Sequence, residues 1–259
     1  MEIQFKDKVV GITGAVGAIG AAMSRRFAES GAKVAVCYNR SGADETVEAI
    51  RQAGGIANAY QLNVADMDKA KEVCQAIASD FGGIDVWINN AGVNVPSEKR
   101  FPIQEFDDDW WQRIIDVDLN GVYNCSKAVV PFMKGREGAN IINISSVVGM
   151  VPFRKQIAFT AAKAGVINMS KAMALELAEL GIRVNVLSPG TIAMEGTAKL
   201  WANNSAMEAL LSHIPQHRQG TPDDIAWMAM FMASDKAAYM TGSVINVDGG
   251  WLCGYARDF

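Results

Sequence analysis

The chain has 259 residues, half of them hydrophobic, enough to bury a sizeable core in one large α/β domain or two small ones. Its formal net charge is −4 and its basic residues are scattered, which leaves no electrostatic footprint for nucleic acid. The start, Met1 to Asp7, is polar and no apolar run approaches the roughly 18 residues of a membrane span, so a cytoplasmic protein without a membrane partner is expected.

Lys8 to Thr13 reads as a short apolar strand that runs into Gly14-Ala15-Val16-Gly17-Ala18-Ile19-Gly20 and then a helix from about Ala21 to Ser30. Strand, glycine-rich turn and helix together make a phosphate site: backbone N–H groups face an anion and the helix N-terminus adds partial positive charge. Thr13, Gly14, Gly17, Ala18, Ile19 and Gly20 are the candidate contacts. Lys33 to Cys37 is the second strand, and its tip reads Tyr38-Asn39-Arg40-Ser41. An acid at that tip would bond the ribose 2′-hydroxyl of NAD; Asn39 and Arg40 instead suit a 2′-phosphate, so NADP(H) is expected over NAD(H), which stays possible.

Asp44 to Ala53 is an amphipathic helix closed by Gly54-Gly55, and Ile56 to Val64 is the third strand, with Asn63-Val64 at its end. Asp66 caps a helix to Phe81. Ile84 to Asn89 is the fourth strand and delivers Asn89-Asn90-Ala91-Gly92, small residues and amides that allow close packing beside a ligand. A loop with Pro96 and Pro102 precedes a long helix from about Trp110 to Met133, whose Trp110 and Trp111 read as core and interface residues. Ile141 to Ile144 is a buried strand followed by Ser145 and Ser146; after a loop, a helix beyond Ile157 puts Phe159 and Lys163 one turn apart on one face.

Arg183 to Leu187 is the sixth strand and leads to Ser188-Pro189-Gly190-Thr191. Ala193 to Arg218 is a helical insertion without a clear strand partner, containing Trp201, Met207, His213 and His217, and reads as a substrate lid. Thr221-Pro222-Asp223-Asp224 starts a helix to Met232, and Ser243 to Val247 is the last strand before Asp248-Gly249-Gly250. Cys37, Cys74, Cys125 and Cys253 lack metal-ligand spacing and read as buried free thiols. His213 and His217 flank Pro215 and lack a third ligand, so no metal is expected.

From Lys8 to about Gly250 these motifs resemble, in order, those of the short-chain dehydrogenase/reductases. Thr13, Gly14 and Gly20 match the family's TGxxxGxG, and Asn89-Asn90-Ala91-Gly92 is its NNAG motif unchanged. Asn63-Val64 stands where a usual Asp-Val pair holds adenine. Pro189, Gly190 and Ile192 stand where the family meets the nicotinamide amide, with Met194 where threonine is frequent and Thr191 or Thr197 as substitutes. Ser146 lies thirteen positions before Phe159, itself four before Lys163, like the family's Ser, Tyr and Lys set. The resemblance implies a single-domain α/β protein: a Rossmann-type, doubly wound parallel sheet of about seven strands with helices on both faces. It also implies a homotetramer or homodimer acting on a small-molecule alcohol or carbonyl substrate.

Two departures fall on the chemistry. Phe159 occupies the place of the family tyrosine and has no hydroxyl to give or take a proton. Asp118, in Val117-Asp118-Leu119-Asn120-Gly121, occupies the place of the catalytic asparagine in a phrase like VNLxG, and a carboxylate near Lys163 would favour its ammonium. Ser146 and Lys163 remain to bind the substrate oxygen and the nicotinamide ribose, so cofactor binding is expected with slow turnover. The alternatives are a protein that binds NADP(H) as a sensor, works by non-redox chemistry, or is a structural subunit. Tyr255 in the tail is a candidate replacement acid or an interface residue, and Arg154 and Lys155 face the expected substrate entrance, where they suit a keto sugar acid or similar anion.

Overall fold

The computed structural model describes residues 3–193 and 204–254. Its strands are β1 Val9–Thr13, β2 Lys33–Tyr38, β3 Ile56–Gln61, β4 Val86–Asn89, β5 Asn140–Ile144, β6 Arg183–Pro189 and β7 Val244–Val247. Its α-helices are α1 Ala18–Glu29, α2 Ala43–Gln52, α3 Met67–Phe81, α4 Asp108–Ile115, α5 Gly121–Met133, α6 Ile157–Leu177, α7 Asn204–Leu211 and α8 Pro222–Ala233. The strands form one parallel sheet in the order β3-β2-β1-β4-β5-β6-β7, with Val10 of β1 opposite Val34 of β2 and Val86 of β4. Chain order reverses between β1 and β4, which opens a crevice at the carboxyl ends of those strands.

Parallel strands covered on both faces are apolar throughout, and β1 (VVGIT) is buried at every position. Helices α1, α2 and α8 cover one face, where Phe27 and Met230 pack on Val34 and Ile142. Helices α3, α5 and α6 cover the other, where Ile77 and Met133 pack on Trp87 and Ile141.

Of the four buried asparagines that interrupt this apolar pattern, Asn89, Asn140, Asn143 and Asn185, the pair Asn89 and Asn143 ties the sheet to α5 and α6. Asn89 accepts from the Trp87 indole at 2.8 Å and donates to Ser126 Oγ at 2.9 Å and to Asn143 Oδ1 at 2.7 Å; Asn143 donates to Ser170 Oγ at 2.8 Å. Both of these amides therefore have partners, as burial requires.

Three expectations change. The long helix to Met133 is two helices joined by a π-helical turn, Asp116–Asn120, which gives the Asp118 segment a wider backbone pitch. The insertion after β6 is pinned at both ends: Ile192 bridges Gly220, with Gly220 N–H donating to Thr191 O at 2.9 Å and Ala193 N–H to Gly220 O at 2.8 Å. Cys37, Cys74 and Cys125 are buried free thiols, but Cys253 is exposed in a turn at residues 251–253. Met194, Thr197, Trp201 and Tyr255 lie outside the described residues. Among the described residues, no helix is long and apolar enough to cross a membrane.

Candidate active site

A cleft of about 1230 Å³ runs along the carboxyl ends of the strands at the β1/β4 crevice. Gly14 opens it in a left-handed conformation (φ +62°), with room for a Cβ only 2.9 Å from Ala91 Cα. A Cβ on Gly20 would collide with Gly14 O, so the turn and the first turn of α1 lie as close as backbone permits. Gly17 is different: its Cβ would meet Gly14 O at an ordinary 3.6 Å, so packing alone does not require a glycine there. No side chain caps α1 and no acid sits in its first turn, which leaves that end with free N–H donors and positive potential. This cradle fits a pyrophosphate.

Behind it, Thr13 Oγ1 accepts the backbone N–H groups of Asn90 and Ala91, both at 2.9 Å. The Asn90 amide returns two bonds, to Thr13 O at 3.0 Å and Gly14 O at 3.1 Å. The NNAG segment thus locks the end of β4 to the glycine turn. At the β2 tip, Asn39 and Arg40 are exposed and line the cleft. Asn63 spends its Oδ1 on the N–H of Ala65 at 3.2 Å, leaving its amino group for a base edge; Val64 is fixed from behind by Asn124, which donates to its carbonyl at 3.0 Å.

The reactive end is built from four segments. Ser146, at the end of β5, accepts the Val148 N–H at 3.2 Å, while Ser145 donates to Lys163 O at 2.9 Å and fixes α6 beside the strand. Gly149 lets that loop cross α6, since a Cβ there would lie 2.8 Å from the Lys163 carbonyl carbon. Lys163 is 5 % exposed, and its ammonium lies 3.0 Å from Asp118 Oδ2, 3.2 Å from the Ile144 carbonyl and 5.5 Å from the centre of the Phe159 ring. Asp118 is fully buried, with Oδ1 accepting the Val93 N–H at 2.7 Å. Burial pushes its carboxyl above the ordinary aspartate value, while the Lys163 cation and the Val93 N–H pull it back. Gly92 makes this possible: a Cβ there would sit 2.8 Å from Asp118 Oδ2.

The structure brings the expected residues together. Ser146, Phe159, Lys163 and Asp118 line the same cleft as Gly14, Gly17, Ala18, Ile19, Gly20, Asn39, Arg40, Asn63, Val64, Asn90, Ala91, Gly92, Pro189, Gly190 and Ile192; Thr13 stands behind its wall. Gly190 N–H donates to Val247 O at 2.9 Å, and a Cβ on Gly190 would lie 2.7 Å from Asp248 Cα, so the DGG turn supports that side. Arg154 and Lys155 lie beside the main cleft. They line a neighbouring cavity of about 290 Å³ with Phe101, Ile103 and Thr160, and Phe153 lines both that cavity and the main cleft. Phe153 is itself stacked on Trp251, ring centres 4.8 Å apart, which brings the start of the tail to the cleft's edge.

Sequence reasoning missed Asn94 and Gln156, which line the cleft and are bonded to each other at 3.1 Å, and Arg100, Asp109 and Arg113 on its outer wall. Their only sequence signal is proximity to a motif, three residues before Phe159 for Gln156 and two after NNAG for Asn94.

Fold and cleft define a dinucleotide-binding protein of the doubly wound class. A family model described as enoyl-(acyl carrier protein) reductase matches residues 14–252. Curated relatives include 3beta-hydroxysteroid dehydrogenase 1 of Eggerthella lenta, 41% identical over 250 residues covering 95% of this chain and 94% of that protein. The 3-oxoacyl-[acyl-carrier-protein] reductase of Thermotoga maritima is 40% identical, covering 96% and 99%. A solved structure described as a putative 2-deoxy-D-gluconate 3-dehydrogenase from Agrobacterium tumefaciens, with bound NADP, superposes with a TM-score of 0.88 at 33% identity over 98% of this chain and 99% of that one. The chain belongs to the short-chain dehydrogenase/reductase family, whose members of this kind are NAD(P)-dependent oxidoreductases.

Proposed function

We infer that the protein binds NADP(H) in the cleft and interconverts a secondary alcohol and a ketone slowly, because position 159 carries no proton donor. The observation that carries this reading is the intact cofactor cradle beside a reactive end that lacks a hydroxyl on α6. Bound nicotinamide supplies the hydride. The chain's residues do the rest: the α1 N-terminus and the Gly14 to Gly20 turn hold the pyrophosphate, Arg40 meets the 2′-phosphate, and Asn63 meets adenine. Lys163 holds the nicotinamide ribose, Pro189, Gly190 and Ile192 line the amide side, and Ser146 donates to the substrate oxygen. General acid–base help is worth about 10²–10⁴ in rate, so turnover lower by that order is expected from positioning alone.

A substrate carrying a carboxylate, such as a keto sugar acid, fits the exposed Arg154 and Lys155 beside Phe153, neither of which has an ion-pair partner among the described residues. A relative described as a gluconate-type dehydrogenase supports that substrate class. A second reading, a dinucleotide-binding protein without redox turnover, is favoured by the Asp118–Lys163 ion pair, which occupies the cation of the site.

Fluorescence titration with NADPH and NADH tests the cofactor assignment. NADPH should bind about tenfold tighter, roughly 1.4 kcal/mol, and Arg40→Ala should erase the difference. Equal affinity of the parent for both cofactors would discard the 2′-phosphate assignment. Nicotinamide absorbance with polyols, keto sugars and their acids then reads turnover.

A further inference from the structure

We propose that Asp118 is a positioning residue that keeps Lys163 in a closed ion pair, so that positions 118 and 159 together, and not the missing hydroxyl alone, hold the cleft back from proton transfer. This deepens the reading of a slow oxidoreductase and rests on it.

The Lys163 ammonium donates one hydrogen bond to the Ile144 carbonyl at 3.2 Å, and Asp118 Oδ2 lies 3.0 Å from it as a buried counter-charge that is not aligned as a hydrogen-bond acceptor. The carboxylate is held from its other side by the Val93 N–H at 2.7 Å, and the bare Cα of Gly92 gives it the room to reach the lysine. The π-helical turn Asp116–Asn120 carries Asp118, and α6 carries both Lys163 and Phe159, so the pair spans the two segments that flank the reactive end. The side chains are 0% and 6% exposed, which shields the pair from salt and water.

A cation a few ångströms from a phenol makes it a stronger acid by favouring the phenolate. The Lys163 ammonium lies 5.5 Å from the centre of the ring at 159, close enough for that effect on a tyrosine placed there. A carboxylate 3.0 Å from the same cation adds a field of opposite sign from nearly the same place, and the two largely cancel at the ring. The other charged residues lining the cleft are Arg40 at the β2 tip, Arg100 in the loop after β4, Asp109 and Arg113 on α4, and Asp116 on the π turn. None of them is ion-paired to Lys163. Restoring a hydroxyl at 159 therefore restores an ordinary phenol and not an activated one. Replacing Asp118 by its amide keeps an acceptor for Val93 and frees the cation.

The test is an ultraviolet titration of tyrosinate in Phe159→Tyr and in Phe159→Tyr/Asp118→Asn, each as a difference against its own parent with phenylalanine at 159. That subtraction cancels the five other tyrosines. The expected result is a new phenol titrating near or above the ordinary value of about 10 in the single variant, and about two pH units lower in the double. Turnover near pH 7 should follow, with the double variant at least tenfold above the single. A phenol already depressed by two units in Phe159→Tyr alone, or no difference between single and double, would overturn the role of Asp118. Asp118→Ser replaces Asp118→Asn if the double variant does not fold. NADPH binding, read on the same samples by fluorescence, separates the two ideas: its absence throughout would remove the oxidoreductase reading, while the tyrosinate titration would still decide what Asp118 does.

Discussion

Replacing Asp118 by alanine leaves the Val93 N–H without its acceptor and the buried Lys163 ammonium without its counter-charge, with the Ile144 carbonyl as its remaining partner. Breaking a buried pair from one side costs about 3 kcal/mol, because the remaining charge has already lost its water. Asparagine at the same place still accepts from Val93 and should cost about 1 kcal/mol. Urea denaturation at pH 7 should rank the parent above Asp118→Asn and that above Asp118→Ala; equal midpoints for all three would mean that the pair carries no stability. The identity of Phe159 was legible in the sequence, because a thirteen-residue and a four-residue spacing bracket it. The contact made by Asp118 was legible only as a neighbourhood. Its distance to Lys163 depends on how a π turn and α6 pack, with Gly92 leaving the space between them.

At the scale of elements, the glycine turn and NNAG act as one unit through a single hydroxyl. Thr13 Oγ1 takes two backbone N–H groups, and Thr13→Val would orphan both while keeping the side chain's shape. The expected loss is about 2–3 kcal/mol, with weaker NADPH binding because Gly14 and Ala91 are no longer held together. Wild-type affinity in a Thr13→Val protein would show that the turn keeps its shape without the β4 end. Strand and helix order could be read from periodicity and caps. Asp66, for example, accepts from the N–H groups of Asp68 and Lys69, and Thr221 with Asp224 forms a capping box. The break at Asp116–Asn120 could not be read, since Asp116-Val117-Asp118-Leu119-Asn120 contains no proline or glycine to announce it. Helix α5 does contain Pro131 near its end, yet the chain stays helical there to Met133.

Across the whole molecule, the first and last thirds of the chain are joined by charge as well as by packing. Arg25 and Arg26 of α1 both reach Asp223 at the start of α8, each with a contact of 3.0 Å, and Arg26 lies 4.7 Å over the Trp227 ring. The Arg26 hydrogen bond holds the Asp223 carboxyl below its ordinary value. A depressed carboxyl stabilises the fold above its unfolded-state value, about pH 4, and loses that contribution as pH falls through the lower folded value. The group is partly solvated, so the contribution is about 0.5–1 kcal/mol, or roughly 2 °C in melting temperature for a chain of this size. Asp223→Asn should therefore melt lower than the parent at pH 7, with the gap closing below about pH 4. A gap that persists unchanged at pH 3 would assign the effect to the α8 cap instead of to charge.

By itself the sequence determined the order of strands and helices, the glycine turn, the NNAG end of β4 and the absence of a hydroxyl at 159. Each of these is local: a period, a cap or a spacing along one segment. Only the tertiary structure decided which of those segments meet. It put Asp118 on Lys163, Trp251 on Phe153, and Arg154 and Lys155 on a cavity beside the main cleft. These contacts join residues 45 to nearly 100 positions apart or depend on one loop's path. Burial, the room left by a glycine and the pitch of a π turn set them, and no period along the chain encodes such terms.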